Sequence, residues 1–188
     1  MTEDRSYQRV PVVSALEIAQ LVKGLAQNID SDYGGKVTEK EPLCLLVILK
    51  GALFFAADLA RELVLPLQID FIRASSYGSG MENSGSVTFT MVEKPKWQAR
   101  HILVVDEITD TGLTAQAVVR YVSDFNPKSV EYCSLLDKPA RRKVVFEPKY
   151  CGRKVADQFL VGYGLDLGER FRNLKAVYPM ELPQFEHK

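Results

Sequence analysis

Three acidic residues and a turn rich in threonine and glycine lie close together, and their chemistry suits a sugar phosphate. Asp106, Glu107 and Asp110 follow an apolar run at 102–105 that predicts a buried strand of a parallel sheet. The acids would lie at the carboxyl end of that strand, where ligands bind in open α/β sheets. The turn at 111–114 opens a helical pattern, and its backbone N–H groups and hydroxyls predict an anion site. Carboxylates can accept hydrogen bonds from ribose hydroxyls while the turn holds a phosphate.

The alternative for this segment is a helix N-terminus with acids in its first turn, which requires no ligand. Capping accounts for one acid, or two, but not for three acids beside Thr111, Gly112 and Thr114. The pattern therefore favours a ligand site.

Other residues that could serve the same ligand follow apolar runs elsewhere. Lys50-Gly51 ends the run 43–49, where glycine allows close approach and lysine can meet a diphosphate, although such a pair is more often a plain turn. Lys138 follows the run 130–136 and could donate to a carbonyl oxygen, although an isolated lysine is usually solvated. Position at the carboxyl end of a strand in the same sheet strengthens the functional interpretation of Lys50-Gly51, while both interpretations of Lys138 stay open.

Three further segments carry weaker signals. Residues 75–86 are rich in glycine and serine, which predicts a long mobile loop that is either a surface loop or a lid that excludes water. Phe159 precedes a glycine-rich stretch ending at Asp166 and would ordinarily be counted as core. The Arg-Arg-Lys run at 141–143 is expected to be a solvated face.

The segment 106–114 resembles the signature for 5-phosphoribosyl 1-diphosphate (PRPP) in the type I phosphoribosyltransferases. The resemblance covers roughly residues 10–180 through five motifs and points to the 6-oxopurine branch. It implies an enzyme that joins hypoxanthine, and also guanine, to PRPP with Mg²⁺ as cofactor. That branch usually has Glu-Asp where this chain has Asp106-Glu107. Both orders supply two carboxylates, so ribose binding is expected to survive, with each carboxylate at a different distance from the backbone than in that branch.

The resemblance also assigns roles to single residues. It implies that Asp110 is catalytic and takes a proton from the purine, that Asp106 and Glu107 hold the ribose, and that these two acids and Asp166 are metal ligands. The remaining assignments are Thr109, Thr111, Gly112, Leu113 and Thr114 for the ribose phosphate; Lys50, Gly51 and Arg172 for diphosphate; Lys138, Phe159 and Leu160 for the purine; and Ser76 and Tyr77 for the lid.

Family members use these residues in specific ways. The phenylalanine stacks on the purine, the lysine reads its 6-oxo group, and backbone near Leu160 reads the base edge. The Leu-Lys-Gly segment often contains a non-proline cis peptide bond. The arginine that matches Arg142 supports the site or the subunit contact.

Two alternatives remain open. One is a sister enzyme on the same fold, specific for adenine, xanthine or orotate; Lys138 argues against adenine, because a lysine cannot accept from a 6-amino donor. The other is a PRPP-sensing regulator that binds nucleic acid, which would be expected to carry a basic face or an added domain. A formal net charge of +0 gives no sign of such a face.

Length and composition favour one α/β domain. The chain has 188 residues, 46% of them hydrophobic, and we expect a core at about 40–165 with a hood from about 1–40 and 166–188. The three cysteines lack metal spacing and predict reduced thiols. Since neither a signal peptide nor a membrane span is indicated, we expect a cytoplasmic protein with no membrane or nucleic-acid partner. The resemblance implies a homodimer or homotetramer.

Alternating strands and helices predict the fold class: a mainly parallel sheet flanked by helices, with a mobile active-site loop. The type I phosphoribosyltransferase fold that the resemblance implies has this form. Ser14 and Glu17 form a capping box before a helix. The predicted helices span 15–29, 52–64 and 114–124. The predicted strands span 43–49, 68–74, 87–92, 102–105, 130–136 and 158–161, and the last two complete the sheet.

Overall fold

The structure, a computed structural model, describes residues 10–76 and 87–181. Its elements in chain order are α1 (Ala15–Tyr33), β1 (Leu43–Leu49), α2 (Leu53–Glu62), β2 (Leu67–Ser76), β3 (Val87–Met91), β4 (His101–Thr109), α3 (Leu113–Ser123), β5 (Ser129–Asp137), a 3₁₀ turn (Pro139–Arg141), β6 (Tyr150–Lys154), β7 (Leu160–Val161) and β8 (Tyr178–Pro179).

Six of these strands form one sheet in the order β3-β2-β1-β4-β5-β6. All neighbouring pairs are parallel except β2 and β3, which are antiparallel. Helices cover both faces, because alternate residues of β1 enter different cores: Leu45 and Val47 pack with α1 and α2, while Leu46 and Ile48 pack with α3. This arrangement confirms the predicted α/β fold class, a mainly parallel sheet flanked by helices.

The capping box before α1 is present as predicted. The Ser14 hydroxyl accepts from the Glu17 backbone N–H, and the Glu17 carboxylate accepts from the Ser14 backbone N–H. The helix runs beyond the predicted end at 29, to Tyr33, whose side chain is buried. Within the described residues, none of the helices is long and apolar enough to cross a membrane.

The strand that carries the acids is longer than predicted. We expected it to end at 105, but β4 continues to Thr109 because its pairing with β5 continues, with Asp106 opposite Ser134 and Thr109 opposite Asp137. Asp106 and Glu107 therefore extend from a rigid strand and not from a loop. Parallel pairing holds this backbone where the local sequence, rich in acids, would not by itself favour a strand.

The prediction that 158–161 completes the main sheet was wrong. The sixth strand is β6, which pairs with β5 from Cys133 opposite Tyr150. Residues 160–161 instead pair with β8 in a separate two-stranded sheet. The apolar run is buried in both arrangements, and burial alone does not tell which partner strand it takes.

The segment predicted to be a lid falls largely outside the description. Ser75 and Ser76 belong to β2 and pair with β3, so the predicted loop begins later than expected. Tyr77 and the rest of the loop to residue 86 lie outside the described residues.

Candidate active site

A cavity of about 280 Å³ opens at the carboxyl ends of β1 and β4. Strands that run parallel end at the same edge, so the residues that follow β1 come close to those that end β4. Eleven of the predicted site residues line this cavity: Lys50, Gly51, Asp106, Glu107, Thr109, Asp110, Thr111, Gly112, Thr114, Asp166 and Arg172.

The acid pair lies in a poorly hydrated part of the cavity. Asp106 is only 8% exposed; it accepts from the Tyr132 hydroxyl at 2.5 Å and from the Glu107 backbone N–H at 3.0 Å. Burial raises the pKa of Asp106, and burial together with the neighbouring Asp106 charge raises the pKa of Glu107 well above its ordinary value. A ligand that brings positive charge or hydroxyl donors would therefore favour the ionised pair.

Tyr132 was not predicted as a site residue. It lies in β5, a strand whose second half is buried, and its hydroxyl reaches Asp106 only because β5 is the direct neighbour of β4. Its sequence context is that of any buried aromatic residue. Only the strand order indicates a role.

Gly51 lies directly against Glu107. A Cβ atom at Gly51 would fall 1.8 Å from Glu107 Oε1, so a side chain at this position could not coexist with the observed carboxylate. The preceding Leu49–Lys50 peptide bond is cis, as the family resemblance implied. The close approach of the Gly51 backbone to the Glu107 side chain therefore depends on glycine at this position.

The turn after β4 has the form of an anion site. Gly112 adopts φ +82°, a left-handed conformation, as the N-cap of α3, and the turn 111–114 leads into the helix. The Thr109 hydroxyl is buried and has no hydrogen-bond partner among the described residues. Arg172, which also lines the cavity, has a buried Nε that likewise lacks a hydrogen-bond partner among the described residues. Buried polar atoms without partners are uncommon in proteins and suit a site that binds a polar ligand.

Charged residues close the opposite side of the cavity. Arg172 contacts Asp166 at 2.8 Å and donates to the Gly164 carbonyl at 2.7 Å, while Lys50 pairs with Glu169 at 2.7 Å. Within the described part of the chain, no group of three or more His, Cys, Asp or Glu side chains is arranged to hold a metal ion. Asp166 and the acid pair nevertheless supply hard oxygen atoms to one cavity.

Of the residues predicted to bind the purine, Lys138 contacts the end of β4, just before the turn 111–114. Lys138 is 6% exposed, so the expectation that such a lysine is solvated does not apply, and its backbone N–H donates to the Thr109 carbonyl at 2.9 Å. Phe159 is half-buried just before β7, and Leu160 is buried within it. These three do not line the acidic cavity, and neither does Leu113, the first residue of α3.

The Arg-Arg-Lys run is the expected solvated face only in part, because Arg141 and Lys143 are exposed but Arg142 is not. Arg142 is largely buried; it donates to the Asp110 carbonyl at 2.7 Å and to the Asp137 carboxylate. Its side chain packs against Gly112, where an added Cβ atom would fall 2.8 Å from Arg142 Cδ. A buried acid and a carbonyl close to the run provide the partners, and the sequence gives no direct sign of them. Arg142 therefore stabilises the turn 111–114 through its contacts with Asp110 and Gly112.

Comparisons with known proteins agree on one family. Residues 12–167 match the model described as the phosphoribosyl transferase domain. The hypoxanthine-guanine phosphoribosyltransferase of Aquifex aeolicus (strain VF5) is 39% identical over 181 residues, which cover 96% of this chain and 99% of the relative. That of Staphylococcus aureus (strain Mu50) is 37% identical over 161 residues, covering 86% and 87%.

Solved structures give the same result. A hypoxanthine phosphoribosyl transferase from Trypanosoma cruzi superposes with a TM-score of 0.88 at 32% identity, covering 96% of this chain and 95% of that one. A hypoxanthine-guanine phosphoribosyltransferase from Bacillus anthracis superposes with a TM-score of 0.82 at 34% identity, covering 92% and 98%.

Proposed function

The chain belongs to the phosphoribosyltransferase family, and we propose that it transfers the 5-phosphoribosyl group of PRPP to hypoxanthine and guanine. The products are IMP or GMP and diphosphate. The observation that carries this proposal is one cavity that brings together the acid pair Asp106 and Glu107, the turn 111–114, and the residues Lys50, Gly51 and Arg172. Each part suits one portion of PRPP.

The acid pair and the turn would hold the ribose phosphate. Asp106 and Glu107 accept hydrogen bonds from the ribose hydroxyls, and these charge-assisted bonds are stronger than neutral ones. The 5′-phosphate binds the N–H groups of the turn 111–114 and the Thr109 hydroxyl, where the N-terminus of α3 favours negative charge. Lys50 and Arg172 face the diphosphate.

The donor set fits Mg²⁺. This ion prefers oxygen ligands and usually binds proteins through one or two carboxylates, with waters and substrate phosphates completing its coordination. Asp106, Glu107 and Asp166 supply such carboxylates, and a protein cluster of three is not required. When bound, Mg²⁺ neutralises charge on the diphosphate leaving group.

The proposed transfer depends on stabilising the charge that develops on the ribosyl ring. The bond between ribose C1 and diphosphate breaks and a bond from C1 to purine N9 forms, with positive charge building on the ribosyl ring between these events. The Asp106 and Glu107 carboxylates provide a negative field beside it. Asp110, at the start of the turn, accepts the proton from purine N7 as N9 attacks. Lys138 donates to the 6-oxo group, Phe159 stacks on the base, and backbone at Leu160 reads its edge.

Two expectations from the sequence stay predictions. The lid at Ser76 and Tyr77 would exclude water, which otherwise competes with the purine for PRPP. A homodimer or homotetramer is expected from the family alone.

Removing either acid tests the ribose assignment. Asp106→Ala and Glu107→Ala are each expected to weaken PRPP binding about tenfold or more, because a hydrogen bond to a charged group contributes about 1.5–3 kcal/mol. The measurement is calorimetric titration with PRPP and Mg²⁺, with a titration of the free base hypoxanthine beside it, which has no ribose and should be affected less. Asp124→Asn, an exposed acid at the end of α3, serves as the control. Unchanged PRPP affinity in both variants would reduce the pair to a structural feature of β4.

Gly51→Ala tests the close approach between the two strand ends. Its methyl group would displace the Glu107 carboxylate, so we expect PRPP affinity to fall by about tenfold or more, as for removal of that acid. Gly24→Ala is the matched control, because an added Cβ atom at Gly24 meets nothing within 4 Å in α1. There the change should stabilise the helix by about 0.5–1 kcal/mol and leave PRPP binding alone. Equal PRPP affinities in the two variants would mean that the Gly51 contact does not matter.

A further inference from the structure

Asp110, the residue proposed to accept the purine proton, contacts two adjacent arginines. Arg142 donates to its backbone carbonyl at 2.7 Å, and Arg141 Nε lies 3.1 Å from Asp110 Oδ1. The two contacts act on different parts of Asp110: the first holds the main chain of the turn, and the second acts on the carboxylate.

Arg141 is itself held in place. Its Nη1 lies 3.5 Å from Asp157 Oδ1, so one guanidinium spans two carboxylates from separate segments of the chain. It ends the 3₁₀ turn that follows Lys138, and its backbone N–H donates to the Lys138 carbonyl at 3.1 Å. The planar guanidinium presents several donors in fixed directions, which suits such a bridge better than the single ammonium of lysine.

The carboxylate of Asp110 is not saturated by this contact. Asp110 Oδ1 is buried, yet no donor among the described residues makes a well-aligned hydrogen bond to it. Arg141 therefore attracts and orients the carboxylate through its charge and not through an aligned hydrogen bond. Because Oδ1 is covered by the protein, a ligand N–H would reach the carboxylate through its other oxygen, and the Asp110 side chain as a whole is 39% exposed.

We propose that Arg141 is a positioning residue for the reaction: it holds the Asp110 carboxylate toward the purine, while Arg142 fixes the backbone beneath. The inference rests on the proposed function, in which Asp110 accepts the proton. Because the Arg141 and Asp110 side chains are about half exposed, at 47% and 39%, the attraction is partly screened and its effect is moderate.

The test is a double-mutant cycle between Arg141 and Asp110. We expect Arg141→Gln to lower kcat about three- to fivefold, in keeping with a partly exposed ion pair, and to leave the KM for PRPP unchanged. Arg141→Lys should recover part of the loss, because the charge remains. In the Asp110→Asn background, Arg141→Gln should have almost no further effect, since residues that act through one another are not additive.

A second variant tests the same role of Arg141 by removing the charge of Asp157, its other carboxylate partner. Asp157→Asn loosens Arg141 without touching Asp110, so we expect a smaller fall in kcat that disappears when Arg141 is already glutamine. Arg120→Gln, an exposed arginine of α3, is the control for loss of a surface charge. Thermal unfolding of each variant shows whether the fold is kept.

The possible outcomes separate the two proposals. A fall in kcat that is just as large in the Asp110→Asn background would make Arg141 a structural residue, and no fall at all would also overturn the inference. Normal turnover in Asp110→Asn itself would remove Asp110 from the mechanism, and with it the proposed role that the inference assumes. A slow Asp110→Asn enzyme with an unaffected Arg141→Gln enzyme would leave the proposed function standing and refute only the positioning role.

Discussion

Replacing Asp110 with asparagine is expected to slow turnover by about 100-fold or more while PRPP binding stays largely intact. Loss of a general base typically costs about 10²–10⁴-fold in rate. Asparagine keeps the size of the side chain and can still accept a hydrogen bond, but it cannot take the purine proton. Arg142 donates to the Asp110 backbone carbonyl, so the substitution leaves this hydrogen bond to the turn in place.

The measurement is kcat with saturating PRPP and hypoxanthine, accompanied by calorimetry with PRPP alone. Asp124→Asn makes the same chemical change at an exposed position of α3 and should leave kcat as it is. Turnover in Asp110→Asn that matches the unmodified enzyme would show that the proton goes elsewhere. A parallel loss of PRPP affinity would instead assign Asp110 to ribose phosphate binding.

The second large effect concerns the choice of base. A lysine ammonium donates hydrogen bonds and accepts none, so Lys138 can pair with a 6-oxo group but meets the 6-amino group of adenine donor to donor. An unsatisfied buried polar group costs about 1–3 kcal/mol, or roughly 5- to 150-fold in discrimination. Because Lys138 is only 6% exposed, water has little access to relieve that conflict.

Lys138→Gln should narrow this discrimination, because an amide can present either its oxygen or its nitrogen to the base. The quantity to compare is the ratio of kcat/KM for hypoxanthine to that for adenine, in the unmodified enzyme and the variant. Lys23→Gln on the exposed side of α1 controls for loss of a lysine charge. An unchanged ratio in Lys138→Gln would show that another group reads the 6-position.

The elements that the sequence predicts well are those whose signal is local and continuous. β1 was predicted at its observed bounds because seven consecutive apolar residues, 43–49, leave no polar edge. Ser14 and Glu17 mark the start of α1 through contacts three residues apart. The segment 106–114 indicated a ligand site because its acids, glycine and threonines are contiguous in the chain.

The features that the sequence could not predict depend on which strands are neighbours in the folded protein. β4 extends through Asp106 because β5 continues beside it, and the Tyr132 hydroxyl reaches that acid for the same reason. Residues 158–161 have the composition of a sheet strand, but pairing with β8 takes them out of the main sheet. Arg141 reaches Asp110 only through a contact between residues that are distant in the chain. Such long-range pairings leave no periodic signal in the sequence.

The account depends most directly on what the protein does with PRPP and a purine. The purified enzyme should be mixed with PRPP, Mg²⁺ and hypoxanthine, guanine, xanthine or adenine in turn, and nucleotide formation followed by absorbance. We predict rapid formation of IMP, formation of GMP as well, little or no AMP, and loss of activity when a chelator removes Mg²⁺. Preference for adenine, or the absence of any nucleotide product from hypoxanthine, would contradict the proposed function.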